Sequence, residues 1–73
     1  MRKWLVAVDY RSNTGIRVYP YYDFEHADAC FEYNADPENK DIILSVALYD
    51  QSSNAELPEL IKKRYGGMRD DQN

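Results

Sequence analysis

The stretch from Asp23 to Asn34, DFEHADACFEYN, decides the fold. Phe24, Ala27, Cys30, Phe31 and Asn34 recur at helical spacing along one side, and Glu25, Asp28 and Glu32 along another. Asp23 is a natural N-cap, with Glu25 in the first turn where the helix dipole favours an acid. The pattern ends at Asn34, because Asp36 precedes Pro37 and the residue before a proline avoids helical backbone angles.

Two strand patterns precede this helix. Lys3 to Arg11 alternates, with Trp4, Val6, Val8 and Tyr10 on one face. Ser12 to Gly15 carries turn chemistry, and Ile16 to Tyr22 alternates again, so the two runs are read as a hairpin. Pro20 has no N–H to donate and places the second strand at an edge. After the helix, the polar residues 35–40 lead into Asp41 to Tyr49, the most apolar strand of the chain. Pro58 then opens PELIKKRY as a short helix stopped by Gly66 and Gly67, with Ser53 and Glu56 offering an earlier capping box. The expected architecture is α+β, ββαβα: a three-stranded antiparallel sheet of order 2-1-3, one helix on a face and a short C-terminal helix. Residues 1–67 form the domain, and 68–73 a frayed tail.

The chain has 73 residues, one cysteine and one histidine. One domain of this size buries roughly 60% of its unfolded surface, which leaves only a few kcal/mol of stability. Its start at Met1 fits a complete small open reading frame. The apolar run after Arg2 and Lys3 stops at Asp9, too short for a signal-peptide core or a membrane span. A lone thiol suits a reducing compartment, so a cytoplasmic location is expected.

His26 and Cys30 have the spacing of two metal ligands or of a Cys–His pair, but no further Cys or His completes either set. Glu25, Asp28 and Glu32 lack any pocket that would separate their pKa values, and no glycine-rich phosphate loop is present. The sequence therefore implies no catalytic residue, no cofactor and no metal, and the chain is read as a non-enzyme.

Two surfaces remain. Net charge is −4, and seven acids against one base lie between Asp23 and Asp41. Glu25, Asp28, Glu32, Asp36 and Glu38 form a candidate docking surface for a basic protein, such as one that normally holds nucleic-acid phosphates. The plain reading of the same acids is the solvated side of an amphipathic helix. If the helix covers the face of Trp4, Val6, Val8, Ile16, Val18, Leu44, Val46 and Leu48, the other face shows Leu5, Ala7, Tyr19, Tyr21, Ile43, Ala47 and Tyr49. Of these, Leu5, Tyr19, Tyr21, Ile43 and Tyr49 are the candidate sheet-face interface. Its occupant is the C-terminal helix, a second copy in a homodimer, or a foreign partner. Both faces are apolar, so the assignment is open to reversal. Tyr19, Tyr21 and Tyr49 could also stack single-stranded bases, although the acidic balance argues against nucleic acid as the partner.

Across residues 3–50, the strand hairpin, the helix with Phe24, Ala27 and Phe31, and the apolar strand resemble short accessory proteins of bacteriophages and mobile elements. The likeness is one of architecture. It implies a non-enzymatic protein that binds a host macromolecule, an inhibitor or regulator of a defence or transcription complex. Anti-CRISPR proteins are one such group, and the site of action would be the host cytoplasm.

Overall fold

The computed structural model describes residues 2–12, 15–52 and 56–65. The elements are β1 (Lys3–Tyr10), β2 (Ile16–Tyr21), α1 (Phe24–Ala35), a 3₁₀ turn (Pro37–Asn39), β3 (Ile43–Gln51) and β4 (Glu59–Tyr65). The fold is α+β, with one antiparallel sheet in the order β2-β1-β3-β4 and one helix across a single face.

Gly15, at φ 83°, ends the β1–β2 connection in the left-handed region that only glycine adopts without strain. The hairpin leaves β2 at an edge, where the missing N–H of Pro20 disrupts no central ladder. Asp23 caps α1, its side chain accepting from the Glu25 amide at 3.4 Å. A contact that long contributes at the low end of capping energies. Asp23→Ala should cost about 0.5–1 kcal/mol, read from the shift in denaturant midpoint. Asp36 ends α1 and caps the 3₁₀ turn, accepting from the Glu38 amide at 2.9 Å.

Ala27, Phe31 and Ala35 of α1 meet Val6, Val8, Ile43, Val46 and Leu48 of the sheet, and these eight side chains are the core. Trp4 packs beside them and meets the edge of Phe24, ring centroids 5.9 Å apart.

Three expectations are corrected. The C-terminal segment is a fourth strand, not a helix. An eight-residue helix is marginal in water, whereas the exposed edge of β3 offers Glu59–Tyr65 a full antiparallel ladder. The sheet accordingly has four strands, with the expected 2-1-3 order extended by β4.

The face assignment also changes. Directly opposed residues in an antiparallel pair share a face. The hairpin register sets Val6 against Tyr19 and Trp4 against Tyr21, so both tyrosines lie under the helix and Ile16 and Val18 lie on the far side. A register shift beside Asp9 and Tyr10 brings Ile43 opposite Tyr10 and into the core at 4% exposure, while Leu44 stands 41% exposed. The expected tail at 68–73, the stop at Gly66 and Gly67, and the Ser53 cap lie outside the described residues.

Candidate interaction surfaces

The sheet face away from α1 is covered by no described element. The strand registers resolve it into three rows of four, read β2, β1, β3, β4: Pro20, Leu5, Tyr49, Leu60; then Val18, Ala7, Ala47, Lys63; then Ile16, Asp9, Ser45, Tyr65, with the pair Lys3 and Gln51 beyond the first row. The two central strands carry small residues in the lower rows, and the two outer strands carry bulky ones. Ala47 and Ser45 are 4% and 8% exposed although no described element packs over them, while Val18 and Leu60 stand 53% and 51% exposed. Of the expected interface residues, Leu5 and Tyr49 lie on this face, and Tyr19, Tyr21 and Ile43 lie beneath the helix. Ile16, Val18, Leu60 and Tyr65 belong to the open face and were missed. Only the hairpin register and the strand identity of residues 59–65 place them there.

Each sheet edge carries a feature that opposes further strand addition. Pro20 lies on the β2 edge. On the β4 edge the register breaks between Leu60 and Lys62, and three successive cations follow at Lys62, Lys63 and Arg64.

On the other face, tyrosines flank α1 on the β2 side and cations on the β4 side. Tyr10 and Tyr19 hydroxyls lie 3.3 Å apart. A hydrogen bond with Cys30, aided by burial, raises the Tyr21 phenol above its ordinary pKa. Asn34 donates to the Cys30 carbonyl at 2.8 Å and lies 3.4 Å from its sulfur, so the thiol belongs to a packed polar cluster.

The acids of the helix divide. Lys62 Nζ lies 2.6 Å from Asp28 Oδ1 and 2.9 Å from Glu32 Oε2, and Arg64 Nη1 lies 3.1 Å from Glu32 Oε1. Two geometric periods match here. Residues one helical turn apart lie about 6 Å apart, and alternate residues on a strand about 6.7 Å apart, so Asp28 and Glu32 meet Lys62 and Arg64 rung for rung. Both cations also sit over the Phe31 ring, at 4.7 and 5.3 Å from its centroid. The candidate docking acids Asp28 and Glu32 are thus engaged within the chain, whereas Glu25, Asp36 and Glu38 stay exposed.

The hydrogen bond from Lys62 holds the Glu32 carboxyl below its ordinary value of 4.5, burial opposing and Arg64 assisting. Because the folded pKa is depressed, this stabilisation is complete above about pH 4.5 and is lost as pH falls through the lower folded value. Between about pH 5 and pH 3, wild type should lose more stability than Glu32→Gln in parallel urea titrations. Equal losses would remove Glu32 from the acid lability of the fold.

Among the described residues, no group of three or more His, Cys, Asp and Glu is placed to hold a metal ion, and no helix is long and apolar enough to cross a membrane. Comparison with protein-family models, with curated proteins and with solved structures finds no match.

Proposed function

We propose that this chain is a non-enzymatic binding protein whose contact surface is the open face of its sheet. It would act by stoichiometric association with a host macromolecule, as an inhibitor or regulator. The observation that carries the reading is the apolar surface spanning all four strands, with Leu5, Val18, Tyr49, Leu60 and Tyr65 uncovered by any described element. Contiguous apolar area of this kind is retained on soluble proteins chiefly where something docks. The acidic helix supports docking less well, because Asp28 and Glu32 already bind Lys62 and Arg64. Base stacking is also weakly supported, since Tyr49 alone of Tyr19, Tyr21 and Tyr49 lies on the open face, beside a chain of net charge −4.

Affinity capture from the native host, quantified by mass spectrometry, tests the reading with two variants. Leu5→Glu should abolish enrichment of the captured macromolecule, and Glu25→Lys should leave it unchanged. The reverse pattern would transfer the function to the helix.

A further inference from the structure

We infer that the open sheet face is a self-association surface: two copies pack face to face into a four-layer helix–sheet–sheet–helix homodimer. The inference rests on the proposed function's choice of surface, which a second copy occupies in competition with the host macromolecule. Three observations select a second copy as the occupant.

The first is charge. The twelve positions of the face carry one acid, Asp9, and one base, Lys63, and Lys3 stands just beyond them opposite Gln51, so the surface is close to neutral on a chain of net charge −4. A strongly basic or acidic partner finds little complementary charge there, whereas a second copy meets no like-charge field. Glu25, Asp28 and Glu32 belong to the helix behind the sheet. Pairing through the open faces sets the two helices about 30 Å apart, given roughly 10 Å per layer, several Debye lengths at physiological salt.

The second is relief. Two twisted sheets packed face to face approach at the centre and splay at the corners. Ala7 and Ala47 occupy the centre, and Ile16, Pro20, Leu60 and Tyr65 the corners. A twofold axis running along the strands between β1 and β3 sets β2 of each copy over β4 of the other. Leu5 then faces Tyr49, and Val18 faces Lys63. The blocked edges leave this stacking, and not strand addition, as the way for the sheet to gain contacts.

The third is area. Four strands and three rows give about 400 Å² in projection, and side-chain relief raises this to roughly 600 Å² per copy. Two copies remove about 1,200 Å², at the lower limit of specific interfaces, the size of a weak, reversible contact.

Sedimentation or light scattering from about 5 to about 500 µM should show wild type passing from one chain to two. Val18→Lys and Leu60→Lys, both at exposed positions of outer strands, should remain folded by circular dichroism and stay monomeric throughout, a weakening of at least tenfold. Glu25→Lys should dimerise as wild type does. Wild type monomeric at the top of the range overturns the dimer, as does a dimer that both face variants retain. The wider reading is judged separately by host capture. A monomeric wild type whose capture is lost in Val18→Lys ends the dimer and keeps the binding face, and unchanged capture in that variant ends both.

Discussion

Replacing Phe31 with alanine should leave the chain unfolded at room temperature. Phe31 is the largest fully buried side chain, the point where the helix meets Val6, Val8, Val46 and Leu48. Truncating a buried phenylalanine costs about 3–5 kcal/mol, as lost burial plus the cavity left behind. A single core in a chain of this length, without a disulfide, supplies about the same amount. The loss extends beyond the ring. Lys62 and Arg64 lie over its face, so truncation also removes the surface along which β4 is drawn onto the helix side. The expected readout is a flat thermal trace in circular dichroism and collapsed amide dispersion in NMR. A cooperative transition within about 1 kcal/mol of wild type would show that the core does not centre on Phe31.

Charge reversal at Glu32 is the second large effect. Glu32→Lys removes the contacts to Lys62 at 2.9 Å and Arg64 at 3.1 Å and sets three cations together, with Asp28 as the nearby acid. Glu32 is 47% exposed, so solvent screens each term. Two lost pairs and two new repulsions, each worth about 0.5 kcal/mol in that setting, come to about 2 kcal/mol of stability. High salt should narrow the gap between variant and wild type, because part of the penalty is repulsion. If stability is unchanged at low salt, the clamp contributes nothing and Glu32 is free for a partner. The result therefore bears on function too: loss of capture after reversing several helix acids at once would report a loosened β4 as readily as a lost docking site.

Most of the α+β plan was legible because its signals are local. The Asp23 cap, the Asp36–Pro37 stop and the helical spacing of Phe24, Ala27 and Phe31 specify α1 within one segment, and Ala35, read as the start of the polar loop, is its last residue and part of the core. Pro20 placed β2 at an edge by its own chemistry, and short right-handed connections then put β3 beside β1. Residues 59–65 misled because Glu, Leu, Lys and Arg are good helix formers. Their strand state depends on the bare edge of β3, which no local pattern displays.

The binding surface was half legible for a related reason. Leu5, Ala7, Ala47 and Tyr49 share the outer face because β1 and β3 alternate cleanly through their centres. Tyr19, Tyr21 and Ile43, expected beside them, lie under the helix. A strand's alternation tells which residues share a face but not which face it is, and a one-residue change of register reverses the answer. The clamp was present in sequence as Asp28 and Glu32 four apart and Lys62 and Arg64 two apart, spacings that match only if the second pair is on a strand.

By itself, then, the sequence determined the single capped helix, the hairpin with its proline edge and the strong central strand, since each is encoded by neighbours within one segment. The tertiary structure alone decided that residues 59–65 form a strand, which side chains the helix covers, that Asp28 and Glu32 are held from within, and that Ile16, Val18, Leu60 and Tyr65 share a surface no described element covers. Those outcomes depend on pairing register and on competition for an open sheet edge, which bring together residues distant in the chain.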